Sequence, residues 1–357
     1  MVNDEKSKIL IIGATGYLGQ FMVKASLSMA HPTFAYTRSI QTNLHLLNHL
    51  QSMGLIIFQG NLEEHHKLVS CLKQVDVVIS TLAVPQHLEQ LKLIKAMKEA
   101  GNIKRFLPSE YGNEVDRVNG GLPPFEAILE NKRKIRRATE EAGIPFTYIS
   151  ANSFAAYFVN YLLHPHLHNL HHILVYGTGE AKVKLVLLKR SRNVEKEMGE
   201  MRLKNTRLTK AVLNYEEDVA FYTVKAAIDE RARNRVVICR PKANIISQLE
   251  LIALWENKTK LSFKREYVTQ TQMVKLSHSN YMHLPSSVVY FTTDFPHNIP
   301  IAILHSIFVE GSQTSFELCP KDLEASQLYP DYKYTSLEAL LDVFLINPPK
   351  PRLASFC

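Results

Sequence analysis

The chain has 357 residues, of which 46% are hydrophobic and 21% are charged. This composition is typical of a globular protein and excludes disordered, fibrous and collagen-like classes. The formal net charge is +8, but residues 183–210 hold nine Lys and Arg against three Glu, so little positive charge remains elsewhere. We therefore expect no nucleic-acid partner.

The first eight residues are polar and charged, and no stretch reaches the roughly 18 uninterrupted apolar residues that span a bilayer. We expect a cytoplasmic protein without a membrane partner. The four cysteines are Cys71, Cys239, Cys319 and Cys357. Because they lie far apart and form no Cys-x-x-Cys pair, the sequence predicts reduced thiols rather than a zinc site or a disulfide framework.

The first predicted element is a strand of four aliphatic residues at 9–12, which leads into a glycine-rich turn and then an amphipathic helix. Glycines at this spacing allow a tight turn and a close approach to a pyrophosphate, and the helix start offers free N–H groups to phosphates. The pattern predicts a dinucleotide site. Its expected cofactor-binding residues are Gly13, Thr15, Gly16, Tyr17, Leu18 and Gly19.

Short apolar runs then alternate with helical patterns. Strands are predicted near 33–36, 55–58, 75–80, 105–107 and 146–149, and helices near 43–53, 63–73, 87–100 and 125–142. This alternation is typical of an α/β fold with a Rossmann-like, doubly wound parallel sheet. We predict a dinucleotide-binding domain at 1–155, a smaller α/β substrate-binding lobe at 156–345 with some segments returning to the first domain, and a tail at 346–357.

Ligands of such sheets lie beyond the carboxyl ends of the strands. Arg38 follows the second strand, where an arginine can bind the 2′-phosphate of NADP; the alternative is a surface arginine. The segments after the later strands supply the remaining expected cofactor contacts, which are Thr81, Ala83, Ser109, Glu110, Asn152, Ser153 and Phe154.

The helix predicted at 125–142 carries a basic run, in which helical spacing places Lys132 on an apolar stripe with Ile128, Leu129, Ile135 and Arg136. Ile128 occupies the position where a short-chain dehydrogenase would carry its tyrosine. A lone lysine can still hold a ribose or orient a phenol, and burial or nearby positive charge can lower its pKa into a useful acid–base range. Arg133 and Arg137 are predicted to face solvent.

Several segments resemble the plant isoflavone-reductase-like family of atypical short-chain reductases, which includes phenylcoumaran benzylic ether, leucoanthocyanidin and pinoresinol–lariciresinol reductases. The family-like segments are 13–19, 105–117, 132–137 and 143–148. Within the family, the segments 160–163, 176–182 and 235–238 look most like eugenol and isoeugenol synthases. The likeness covers nearly the whole chain.

The resemblance implies an NADPH-dependent reductase of a coniferyl ester such as coniferyl acetate, giving eugenol or isoeugenol through a quinone methide. Lys132 matches the family's catalytic lysine and is also an expected cofactor contact. Tyr157 matches a tyrosine near the substrate phenol, although it can instead be a packed aromatic residue. Val84, His87 and Tyr161 are the other expected substrate contacts, and we expect a small phenolic substrate and a monomer or homodimer.

Two alternatives to this function stay open. The first is a benzylic ether or isoflavone reductase, which needs a wider pocket for a bulkier substrate. The second is a protein that senses NADP without turnover, which has no need of an acid–base lysine.

The chain departs from the family pattern in three places. Asn43 replaces a lysine that often supports the 2′-phosphate arginine, so we expect a softer preference for NADPH over NADH. The segments 183–210 and 279–294 look like additions. For 183–210, a basic arm for a membrane or partner, a surface loop and a translated intron are the three alternatives.

Five histidines lie close together at 164, 166, 168, 171 and 172. No cysteine or carboxylate completes a recognisable ligand set with them, so we predict no metal site.

Overall fold

The computed structural model describes residues 6–38, 43–118, 120–167, 171–179, 182–183, 207–278 and 298–349. The predicted additions at 183–210 and 279–294 therefore lie almost entirely outside the described residues. Of the predicted tail, only 346–349 is described.

The amino-terminal half forms a parallel sheet of five strands, in the order β3 (Ile56–Gln59), β2 (Thr33–Thr37), β1 (Ile9–Ile12), β4 (Val77–Ser80) and β5 (Arg105–Leu107). β1 lies at its centre, where Ile9 pairs with Thr33 on one side and with Val77 on the other. All four residues of β1 are buried, as expected for a strand that is covered on both faces. The predicted α/β fold with a doubly wound sheet is confirmed.

Five helices connect and cover these strands. α1 packs on the sheet through Leu18, Gly19, Met22 and Val23, and α5 buries a stripe that includes Leu129 and Ile135. The helices are α1 Tyr17–Ser28, α2 Leu44–Ser52, α3 His65–Leu72, α4 Gln90–Ala100 and α5 Pro123–Glu141, with a 3₁₀ helix at Val84–Glu89 before α4.

A second group of parallel strands continues the sheet beyond β5. The N–H of Phe106 donates to the carbonyl of Pro145 at 2.8 Å, and Phe106 forms a bridge to Phe146. Next to this bridge lie β6 (Thr147–Ser150), β12 (Arg235–Ile238) and β15 (Leu323–Glu324), in the order β15-β12-β6. Two strands from the second half of the chain thus lie beside the first half, although the predicted domain boundary at residue 155 itself stays a prediction.

The smaller lobe combines short strands with apolar helices around a core that includes Trp255, Phe308 and Phe344. Its strands are β7 Ser153–Phe154, β8 His172–Tyr176, β9 Lys182–Val183, β10 Arg207–Leu208, β11 Ala211–Asn214, β13 Ile245–Ile246 and β14 Lys264–Val268. The helices of the second half are α6 Ala155–Leu163, α7 Glu216–Ile228, α8 Gln248–Thr259, α9 Gln270–His278, α10 Asn298–Phe308, α11 Ala325–Leu328 and α12 Leu337–Ile346.

The two ends of the segment 183–210 meet in an antiparallel pair. Val183 pairs with Arg207, and Lys182 pairs with Leu208.

Among the described residues, no helix is both long and apolar enough to cross a membrane.

Candidate active site

A cavity of about 780 Å³ opens at the carboxyl ends of β1, β2, β4 and β5. It is the crevice in which a doubly wound sheet holds its ligand. The structure brings nearly all of the predicted site residues to its wall. These are Gly13, Thr15, Gly16, Tyr17, Leu18, Arg38, Thr81, Ala83, Val84, His87, Ser109, Glu110, Lys132, Asn152, Ser153, Phe154, Tyr157 and Tyr161.

Gly19 is the one predicted residue that does not line the cavity. A Cβ at this position would lie 2.0 Å from the carbonyl oxygen of Gly13. Gly19 therefore lets α1 pack against the turn, and it acts on the cofactor site through this packing.

The glycine turn is shaped by contacts that leave no space for side chains. Gly13 has a φ of +83°, and a Cβ there would lie 2.8 Å from the hydroxyl oxygen of Thr81. That hydroxyl donates hydrogen bonds to the carbonyls of Ile12 and Gly13, at 2.9 and 3.1 Å. The end of β4 thereby fixes the path of the turn.

The start of α1 is suited to an anion. Its N-cap is Gly16, which provides no side-chain cap, and its first turn contains no acidic residue. The unpaired N–H groups and the positive end of the helix dipole therefore favour a phosphate group. Together with the narrow glycine turn, this start fits the pyrophosphate of a dinucleotide.

Arg38 follows β2, the strand next to β1 in the sheet. Its side chain is exposed, lines the cavity, and forms no hydrogen bond or ion pair with the residues that the structure describes. A guanidinium in this position is available to a phosphate. Asn43, the residue expected to soften the preference for NADPH, is the N-cap of α2.

Lys132 is buried on the inner face of α5. Its amine donates a 2.8 Å hydrogen bond to the carbonyl of Glu110 in the loop after β5. Burial lowers the pKa of Lys132 to about 8; the charge of Glu110 opposes this shift, and the charge of Arg136 adds to it. The amine can therefore exchange a proton near neutral pH.

The carboxylate of Glu110 binds Arg136, one turn further along α5. The Arg136 nitrogens donate to its two oxygens at 2.9 and 2.5 Å, and to Glu114 at 2.6 Å. Burial raises the pKa of Glu110, although Arg136 counteracts this. Glu110 lines the cavity, but its carboxylate serves this buried ion cluster.

The prediction of which basic side chains face inward is confirmed for Lys132 and Arg136, and Arg137 is exposed as expected. Arg133 is different. Its side chain is 23% exposed, and its guanidinium donates to the carbonyls of Val115 and Val118. Arg133 thus fastens the loop before α5, a contact that helical periodicity alone does not indicate.

The loop after β4 forms the 3₁₀ helix with Val84 and His87. His87 is buried, and both burial and the charge of Lys132 lower its pKa, to about 3, so its imidazole is neutral. Gln90 holds this helix in place by donating to the carbonyl of His87 and accepting from the N–H of Ser109. The loops after β4 and β5 are thus joined beneath the cavity.

The aromatic wall comes from α6. The rings of Tyr157 and Tyr161 lie nearly parallel, with centroids 6.3 Å apart. Burial and the neighbouring hydroxyl of Tyr176 raise the pKa of Tyr161, so its phenol stays protonated. Burial raises the pKa of Tyr157, so its phenol stays protonated and can donate a hydrogen bond.

The residues before α6 are fixed by buried hydrogen bonds. Asn152 has a φ of +57°, and its amide donates to the carbonyl of Cys239 at 2.8 Å. The hydroxyl of Ser153 accepts from the amide of Gln313 at 2.7 Å. These contacts set the direction in which Phe154 enters the cavity wall.

Two groups stand out among the residues of this site that sequence reasoning missed. Pro300, Ile303 and Leu304 of α10 line the cavity together with Gln313, and the carboxylate of Glu216 binds the hydroxyl of Tyr17 at 2.8 Å. α10 is apolar on nearly every side, so it carries no amphipathic signal. Glu216 stands in a run of three acidic residues, which resembles an ordinary helix start.

No group of three histidine, cysteine or carboxylate side chains in the described part of the chain could hold a metal ion. Of the five clustered histidines, His168 lies outside that part.

The model of the NmrA-like family matches residues 5–341. Isoeugenol synthase 1 of Petunia hybrida is 52% identical over 357 residues, covering 98% of this chain and 97% of the relative. Eugenol synthase 2 of Clarkia breweri is 40% identical over 345 residues, covering 95% and 99%. The solved structure of AtPrR2 with NADP⁺ and (+)-pinoresinol matches with a TM-score of 0.76 and 30% identity, covering 95% of this chain and 99% of that one.

Proposed function

Because the chain belongs to the NmrA-like family, as an isoflavone-reductase-like reductase of the isoeugenol synthase type, we propose that it reduces a coniferyl ester with NADPH to isoeugenol. The observation that carries this proposal is the buried Lys132, whose amine lies in the same cavity as the glycine turn and the aromatic wall of α6. The higher identity to an isoeugenol synthase than to a eugenol synthase favours isoeugenol as the product.

The cofactor part of the cavity supports NADPH. The glycine turn and the start of α1 would hold the pyrophosphate, and Arg38 would hold the 2′-phosphate. Thr81, Ala83, Ser109 and the segment Asn152–Phe154 would surround the nicotinamide half. When bound, NADPH supplies the hydride that the substrate accepts.

Lys132 and Tyr157 would act on the substrate phenol. The lysine amine takes the proton of the para-hydroxyl group, or stabilises the phenolate by its charge, while the Tyr157 hydroxyl donates a hydrogen bond to the same oxygen. The electron pair of the phenolate then expels the carboxylate from the end of the side chain, which leaves a quinone methide. Hydride addition at the terminal side-chain carbon would restore the aromatic ring as a phenolate, and the protonated Lys132 amine would return the proton to its oxygen to give isoeugenol.

The remaining wall residues would orient the side chain. Val84 and His87 lie on the 3₁₀ helix, and the neutral His87 imidazole adds no charge near the expelled carboxylate. The ring of Tyr161 extends the aromatic wall beside Tyr157. We infer that this group sets the carbon that is reduced.

The test is to incubate the purified protein with NADPH and coniferyl acetate and to identify the products. We expect isoeugenol. Eugenol alone would contradict the assigned position of hydride addition. If neither product forms, and a dilignol ether offered in a parallel incubation is consumed, the result would favour a benzylic ether reductase.

A further inference from the structure

Glu216 is a buried carboxylate that has only neutral partners. It is fully buried, and no ion pair among the described residues includes it. Its Oε1 accepts from the hydroxyl of Tyr17 at 2.8 Å and from the N–H of Tyr157 at 3.2 Å, and its Oε2 accepts from the N–H of Ala156 at 3.2 Å. Burying a carboxylate without a cationic partner costs free energy, so its position at these three donors needs an explanation.

The three donors belong to the two sides of the cavity. Tyr17 is the first residue of α1, directly after the glycine turn, whereas Ala156 and Tyr157 lie in the first turn of α6. Phe154, the N-cap of α6, has no side chain that can accept from these N–H groups. Glu216 therefore caps α6 from a distance in the sequence and joins it to the dinucleotide turn.

Burial raises the pKa of Glu216 to about 7, and above this pH the ionised carboxylate suits the position better than an amide. All three partners donate, and only a carboxylate offers two accepting oxygens without a donor of its own. A glutamine would direct its NH₂ group toward one of the donors. That donor, either an N–H at the start of α6 or the hydroxyl of Tyr17, would then lose its hydrogen bond.

We propose that Glu216 is a positioning residue that holds the start of α6 against the glycine turn, and thereby sets the distance between the Tyr157 ring and the bound dinucleotide. The identity of the substrate in this proposal rests on the proposed function. The link between the turn and the helix does not, because it consists of contacts within the chain.

The test compares Glu216→Gln and Tyr17→Phe with Tyr332→Phe as a matched control. Tyr332 also donates to a carboxylate of α7, Asp218, at 2.7 Å, but it does not line the cavity. The measurements are the hydrogen-exchange rates of the amides at the start of α6, the KM for coniferyl acetate, kcat, and the Kd for NADPH.

For Glu216→Gln we expect faster exchange at Ala156 and Tyr157 and about a tenfold rise in KM, with kcat and the Kd for NADPH changed less than about threefold. Tyr17→Phe should raise KM about threefold, since it removes a single hydrogen bond. Tyr332→Phe should match the wild type in exchange and in KM. A general loss of stability would not separate KM from kcat in this way.

The proposal is overturned if folded Glu216→Gln exchanges these amides at the wild-type rate, or if its KM equals that of the control. Should Glu216→Gln not fold, Tyr17→Phe decides by the same measurements. If the wild type does not convert coniferyl acetate, the proposed function fails, and the exchange rates alone then decide whether the bridge through Glu216 exists.

Discussion

The amine of Lys132 donates a 2.8 Å hydrogen bond to the backbone carbonyl of Glu110, whereas the carboxylate of the same Glu110 binds Arg136. The backbone of Glu110 thus provides Lys132 with a neutral acceptor, whereas the charge of its side chain is used by Arg136. Because Arg136 occupies the carboxylate, Lys132 takes part in no ion pair with the described residues. Its amine is held in position without being locked in the charged form.

Lys132→Ala should abolish most turnover while NADPH still binds. Loss of a positioned acid–base group typically lowers kcat by about 10²- to 10⁴-fold. The glycine turn and Arg38 are unchanged in this variant, so we expect the Kd for NADPH, measured by fluorescence titration, to change less than about fivefold. Lys134→Ala is the control, because Lys134 lies on the exposed side of the same helix. Turnover near the wild-type value would assign the chemistry to another residue.

The pH dependence of kcat/KM should distinguish the two roles of Lys132. Its pKa is lowered to about 8, so the neutral amine that can accept a proton becomes the main form as the pH rises through that value. As a base, Lys132 should give a kcat/KM that rises about tenfold per pH unit below this pKa and then levels off. His87 is already neutral in this range. A kcat/KM that falls above the pKa would instead assign the charged amine, and the residual activity of Lys132→Ala should show neither step.

The cofactor preference should depend on Arg38 and on the residue at position 43. Arg38→Ala removes the charge that would meet the 2′-phosphate, so the Kd for NADPH should rise about 10- to 100-fold. The Kd for NADH, which lacks this phosphate, should stay the same. Asn43→Lys adds a positive charge at the start of α2 and should tighten NADPH about threefold. Equal effects on both dinucleotides would show that Arg38 does not contact the 2′-phosphate.

The sequence predicted those site residues whose role can be recognised from their neighbours in the chain. The glycine turn, Arg38 and the residues after β4 and β5 follow from the rule that ligands bind at the carboxyl ends of parallel strands. Lys132 follows from helical periodicity, because its neighbours on the stripe are apolar. In these cases the relevant pattern spans a few residues, and the structure has all of them at the cavity except Gly19, which lets α1 pack against the turn.

The contacts that sequence reasoning missed are long-range. Glu216 meets Tyr17 across 199 positions, and Gln313 meets Ser153 across 160. Neither Glu216 nor Gln313 stands in a sequence pattern that indicates its partner, because such pairs depend on how the smaller lobe folds back on the sheet. α10 was also missed, because a helix that is buried on nearly every side has no polar face to reveal its period.

Arg136→Met should destabilise the protein strongly, and more so at higher pH. The side chain of Arg136 is only 1% exposed and binds Glu110, Glu114 and Asp116. Removing it leaves buried carboxylates without a cation, which typically costs about 3–5 kcal/mol. Burial already raises the pKa of Glu110, and without Arg136 this pKa should rise further. The folded state then binds more protons than the unfolded state, so the free energy of unfolding should fall as the pH rises.

Urea denaturation of this variant at pH 5 and pH 8 measures both effects. The loss of stability should be larger at pH 8, because protonation at pH 5 relieves part of the unpaired charge. Arg137→Ala is the control: its side chain is 59% exposed, and removal of its surface ion pairs should change the free energy of unfolding by less than about 0.5 kcal/mol. An equal loss at both pH values would mean that Arg136 stabilises the protein by packing over the ring of Tyr148, where its guanidinium lies 4.4 Å from the centroid, rather than by neutralising Glu110.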